Sequence, residues 1–136
     1  MTLDDIARLQ PDDREALFGR LRDAACRVLP TDAETRWQYL SAAHIVGQHQ
    51  IGLHLKSHVC MLQLGVHQRD WLEAAGQLFR LALVPLGHLF DRLPFGNTGR
   101  ADVSAFAPMG LPTQLAQLID EAKSSATPDH ERSFTA

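Results

Sequence analysis

The stretch "AHIVGQHQIGLHLKSH", residues 43–58, decides how the chain is read. Its apolar residues recur at helical spacing on both sides of "GQHQ", which describes two helices joined by a tight turn. At 100° per residue, His54 and His58 fall in the sector of Ile51, Leu55, Met61 and Leu62 on the second of these helices. His44 falls in the stripe of Trp37 and Leu40 on the first. An antiparallel hairpin turning near Gln48 and His49 sets His44 opposite His54, so three imidazoles converge on the inner side, while His49 in the turn looks at water.

Working outward, helical periodicity continues in both directions. A short helix is predicted over Leu3 to Leu9, and a second between Pro11 and Pro30, with Leu17, Phe18, Leu21, Ala25 and Val28 on its apolar side. "TDAE" at residues 31–34 is a Thr-x-x-Glu capping box, with Thr31 capping Glu34, which starts the helix carrying His44. That helix runs to about Val46, with Gly47 as its left-handed terminator. The next spans about Gln50 to Leu64 and ends at Gly65, and another runs from Gln68 to Leu83 and stops near Pro85. Prolines and glycines between Gly87 and Pro112 forbid a long regular element there, yet Leu89, Phe90, Leu93, Phe95, Val103, Phe106 and Met109 keep that loop against the protein. A last helix covers Thr113 to Ala122. No segment alternates with period two. The expected fold is therefore all-α, a compact irregular bundle of about five helices clasped by a long loop, with one domain over residues 1–123 and a disordered tail over 124–136.

A chain of 136 residues with 45% hydrophobic content can bury a core without disulfides. Its two cysteines, Cys26 and Cys60, and an acidic, amphipathic start with no signal-like apolar stretch lead us to expect a cytoplasmic protein with reduced thiols. The apolar runs fall short of a membrane span. A formal charge of −3 with no basic block argues against nucleic acid as a partner.

Three buried imidazoles are expensive unless each finds a partner, and three close together cannot all be protonated. One transition metal ion removes both costs, and two histidines four apart on a helix present two ligands to one ion. The expected ligands are His44, His54 and His58. Zinc, copper and iron are not distinguishable, because imidazole suits each and no thiolate set is present. The histidines can equally be structural, bonded to backbone or water, or form a ligand-binding set without metal; "HLKSH" alone is a pattern that chance supplies readily in a chain with seven histidines. A Cys-x-x-Cys pair, the zinc-protease pattern and the paired Glu-x-x-His of di-iron bundles are all missing.

Around this set, Glu73, Gln77 and Arg80 form one polar stripe on the following helix, able to supply a fourth ligand or an outer partner; the plainer reading makes it a solvated face opposite Trp71 and Leu78. In the loop, residues 96–100 ("GNTGR") form either an anion-binding turn or a tight turn whose Arg100 pins the loop to the bundle.

"AHIVGQ" with "HLKSH", then "GQLFRLALVPLGHL", then "RLPFGNTGRADVSAFAPMGLP" resemble an uncharacterised bacterial family, domain of unknown function 3703, over roughly residues 36–116. His44, Gln48, His54, His58, Glu73, Gln77 and residues 96–100 match its pattern, whereas Ser41 stands where a glutamate is common. The resemblance implies no activity, but it places His44 and the His54/His58 pair in one recurring pattern.

The functional expectation is a small metal-binding helical protein that acts, if an enzyme, by metal-assisted oxidation or hydrolysis of a small molecule, with Glu73 as acid/base and Arg100 as substrate anchor. The competing expectation is a non-enzymatic interaction module with structural histidines, whose apolar helix faces serve a partner or a homodimer.

Overall fold

Among the described residues the chain forms six helices and no strand: α1 (Leu3–Ala7), α2 (Pro11–Arg27), α3 (Ala33–Gly47), α4 (Ile51–His67), α5 (Trp71–Leu89) and α6 (Thr113–Ser124). The structure, a computed structural model, describes residues 1–125. The predicted all-α class and the helix-turn-helix at its centre are what the chain adopts. The tail expected over 124–136 lies outside the described residues from 126 on; Ser124 closes α6 and Ser125 is its C-cap.

α3 is the hub. It packs against α2, α4 and α6, while α5 packs against α4 and α6 also touches α2. Burial explains why. Residues Leu40 to Gln48 are all buried, so this helix has no solvated side along its second half. One core cluster joins Ile6, Leu17, Phe18, Leu21, Ile45, Val46, Leu53, Leu115 and Ile119; a second gathers Ala25, Trp37, Leu40, Met61 and Leu64. Met61 is thus packing. Arg14, itself buried, ties α1, α2 and α3 together by donating to the carbonyls of Ala7, Leu9 and Val46. No helix among the described residues is long and apolar enough to cross a membrane.

Four local readings are corrected. The cap of α3 is Asp32, whose carboxylate accepts from Thr35 N at 3.2 Å; Thr31 lies one residue outside, and the capping box of this chain is Thr2 with Asp5. An ionised carboxylate displaces a hydroxyl one position away because it is the stronger acceptor beside the helix's free amides. Gly47 is helical and terminates nothing by a positive φ. It is small because a Cβ there would lie 2.9 Å from that of Leu53 and 3.1 Å from the Phe18 ring, which lets α3 and α4 meet at the turn. α4 continues through Gly65 to His67. α5 continues through Pro85 to Leu89, with the proline ring on the exposed side, where water can meet the Leu81 carbonyl that loses its donor.

The segment from Phe90 to Pro112 is the predicted clasp, but of the apolar residues expected to keep it against the protein only Leu93, Phe95, Val103 and Met109 are partly buried. Phe90 and Phe106, with Leu89 before them, are exposed, and hydrogen bonds hold the loop. Met109 N donates to Phe95 O at 3.0 Å, pinching its ends. Inside, the buried Asn97 donates to the carbonyls of Ser104 and Ala107 and accepts from Gly99 N. Asp32→Ala should lower the stability to urea by about 1 kcal/mol, the usual magnitude for losing such a cap. Thr31→Ala should change it by no more than a few tenths. The reverse order would show that the start of α3 is held by Thr31.

Candidate metal centre

The hairpin of α3 and α4 brings His44, His54 and His58 together. Ring centroids are 4.8 Å apart for His44 and His54, 4.7 Å for His44 and His58, and 5.0 Å for His54 and His58. All three are buried, at 2–4% exposure. Their ligand atoms lie within 4.8 Å of one another, so the set can hold a metal ion. Three nitrogens each about 2.1 Å from one tetrahedral ion lie about 3.4 Å from one another, so coordination draws the rings together by up to about 1.4 Å from the 4.8 Å within which their ligand atoms lie.

Each imidazole is oriented from behind by its Nδ1. In His44 this atom donates to Asn97 O at 2.9 Å, and in His58 it donates to Gln77 Oε1 at 2.7 Å. The Gln77 amide has no choice of orientation: its Nε2 donates to Glu73 Oε1 at 2.7 Å and to Gly99 O at 2.9 Å, both acceptors, which turns Oε1 to the histidine. His54 Nδ1 faces His88 Nε2 at 3.1 Å, and with His54 as donor its own Nε2 is freed. Each Nε2 is then left as the lone-pair nitrogen, the tautomer that a metal-ligating histidine adopts when its other nitrogen is engaged. Nε2 of His44 is fully buried with no hydrogen-bond partner among the described residues.

Loop geometry depends on the same residues. Gly99 has φ +81°, and a Cβ there would sit 2.9 Å from the His44 ring, so the loop reaches its position only with glycine at this point. Glu73, at 4% exposure, accepts from Ala101 N at 2.9 Å and pairs with Arg100 at 3.3 Å, while the Arg100 guanidinium lies 4.2 Å from the centre of the Trp37 ring. The stripe Glu73, Gln77, Arg80 therefore faces inward, and Trp71 and Leu78 face outward at 65% and 58% exposure, the inverse of a solvated polar face. The buried carboxylate and amide find donors and acceptors in the loop that no reading of α5 alone supplies.

Beside the triad lies a cavity of ≈ 250 Å³, walled by Leu83, Val84, Leu93 and Pro94 and reached by His44, His54, His58, Gln48, Arg80 and Arg92. Glu73 and Arg100 are absent from its wall; the structure brings those two to each other and leaves Arg80 at the cavity. Arg80 is buried, donates to Val103 O, and makes no ion pair among the described residues. His88 was not singled out from sequence, whereas Arg80 and Asn97 entered only as members of the α5 stripe and of the 96–100 turn. Extending the stripe of α5 by whole turns, from Arg80 through Val84, reaches His88, but stopping the helix at Pro85 hides it. His49 is exposed in the turn, edge-to-face with Phe95 at 4.6 Å between ring centroids.

Burial, reinforced by the neighbouring imidazoles, pushes His44 well below the usual histidine value and His54 to about 3. Burial also takes His58 to about 4, against the opposing effect of its hydrogen bond to Gln77. The folded protein thus holds neutral rings, as metal ligation requires. Below the unfolded value of about 6.5, the unfolded chain takes up protons that the folded one refuses, so stability is full above that pH and is lost as pH falls toward the folded values. In protein stripped of divalent ions, the urea midpoint should change little from about pH 8 to 7 and decline from about 6.5 to 4. His54→Asn and His58→Asn should each make that decline shallower, and an unchanged slope in both would mean that these rings are not the groups resisting protonation.

Comparison with curated proteins and with solved structures finds no match in either. The family described as "Protein of unknown function (DUF3703)" matches residues 13–119, a span that holds all three histidines, α5 and the loop that closes over them, and the chain belongs to that family.

Proposed function

We propose that the protein binds one transition metal ion through Nε2 of His44, His54 and His58, with an open coordination position turned toward the cavity. The observation that carries this reading is the His44 Nε2 lone pair, buried and without a hydrogen bond in a protein that satisfies the Nδ1 of all three rings. A buried acceptor left unpaired costs about 1–3 kcal/mol, which an ion at that point offsets.

Three neutral ligands leave a bound divalent ion its full charge, and such a centre activates bound water or dioxygen, so hydrolysis and oxidation of a small molecule are the reaction classes it opens. The cavity selects the molecule. Its wall is mostly apolar, and the charged groups that reach it are Arg80 and Arg92, so it suits a small anion with an apolar body, for instance a carboxylate. Arg80 takes the anchoring role expected of Arg100, which instead pins the loop against Glu73 and Trp37. Glu73 acts at one remove, holding Gln77 so that His58 keeps its ligating tautomer.

Untagged protein stripped by chelator should bind about one equivalent of zinc or cobalt, and its melting temperature should rise with added ion. Saturation at 100 times Kd corresponds to about 2.7 kcal/mol. His54→Ala and His58→Ala should each abolish the effect and His49→Ala should keep it. Less than about a tenth of an equivalent of bound zinc, copper, iron or nickel, with no thermal shift from any of them, would show the triad to be structural. In the cobalt-loaded protein, butyrate should perturb the visible spectrum. Arg80→Gln should weaken that binding roughly tenfold or more, the range for a hydrogen-bonded charge, and Arg100→Gln should leave it within about threefold. Equal losses in both variants would remove Arg80 from the anchoring role.

A further inference from the structure

The inversion of α5 leaves its apolar face uncovered by any described residue. Leu72, Ala75, Phe79, Ala82, Leu86 and Leu89 are all exposed, the large ones at 83, 54, 51 and 74% for Leu72, Phe79, Leu86 and Leu89. Their spacing is 3, 4, 3, 4 and 3 residues, the a/d repeat of a coiled-coil seam, here on the side of the helix that faces away from its own bundle. Glu73 and Arg80, the carboxylate and the guanidinium of α5, are buried on the other side, so the seam carries no charge.

We propose that this seam pairs antiparallel with the same seam of a second copy of this chain. The residues are self-complementary in that arrangement. About a two-fold axis between Phe79 and Ala82, Leu72 meets Leu89, Ala75 meets Leu86, and Phe79 meets Ala82, so every layer joins an a to a d position and two of the three join a large side chain to an alanine. A parallel pairing would instead set Phe79 on Phe79 and leave the alanines facing each other across gaps. Large apolar side chains present roughly 150–250 Å² each when free. The seam with flanking Trp71, Leu78 and Phe90 therefore offers on the order of 800 Å², what one partner contributes to a standard interface and more than a monomer ordinarily exposes in one patch. A membrane surface is a poorer occupant, because interfacial helices carry exposed lysine and arginine along their polar side, and the only such cation of α5, Arg80, is buried. Leu86 and Phe90 also line the cavity, so the pairing runs along its mouth.

Sedimentation equilibrium of the full chain at tens of micromolar should give about twice the monomer mass of 15.1 kDa. Phe79→Glu and Leu86→Glu should each return the monomer mass with an unchanged far-ultraviolet dichroism spectrum. Direction is read by disulfide trapping in a chain whose Cys26 and Cys60 are serine: mixed Leu72→Cys and Leu89→Cys proteins should cross-link to each other, and neither should cross-link to itself. A monomeric wild-type chain, a dimer indifferent to both glutamates, or self-linking of Leu72→Cys each overturns the proposal. So does a monomer that instead sediments with zwitterionic phosphatidylcholine vesicles.

Discussion

The hydrogen bond from His58 Nδ1 to Gln77 Oε1 is the joint between the histidine triad and the rest of the fold. Its 2.7 Å length matters less than its direction, which is set by what lies behind it. Gln77 can accept from histidine only because Glu73 and the Gly99 carbonyl take both of its amide protons. Glu73 in turn is tolerable at 4% exposure because Ala101 N and Arg100, both from the long loop, meet its oxygens. Loop, helix and histidine are thus one network, and removing any member leaves a buried polar group unpaired.

That network explains why the loop is ordered without secondary structure. Its carbonyls are spent on the site: Asn97 O on His44, Pro94 O on Gln48, Gly99 O on Gln77 and Val103 O on Arg80. A backbone that cannot form a ladder because of its prolines and glycines satisfies its polar groups through buried side chains. The same contacts hold the Nδ1 edges of His44 and His58, leaving Nε2 of His44 buried without a hydrogen bond among the described residues.

Turning the polar stripe of α5 inward has a price on the other face. A helix so apolar would ordinarily bury Leu72, Phe79, Leu86 and Leu89 in its own bundle; here the side that packs on α4 carries Glu73, Gln77 and Arg80, and the leucines are displaced to the surface. Polar chemistry inside the subunit and an apolar seam outside it are two consequences of one rotation of the helix about its axis.

The sequence by itself determined the helices and the convergence of His44, His54 and His58, because both follow from local periodicity: 3.6 residues per turn and a turn at Gln48 place those side chains whatever surrounds them. It also marked the 96–100 turn as special through its two glycines, both of which have positive φ. What only the tertiary structure decided is the rotation of α5, the passage of that helix through Pro85, and hence the presence of His88 and Arg80 near the triad. A stripe of Glu, Gln and Arg reads as solvated because burying it is costly, and the partners that offset the cost lie more than twenty residues away, in a loop whose path no periodicity records. Asp32 displaced Thr31 as a cap for a local reason: two adjacent side chains were competent, and the carboxylate is the stronger acceptor beside the free amides that begin α3.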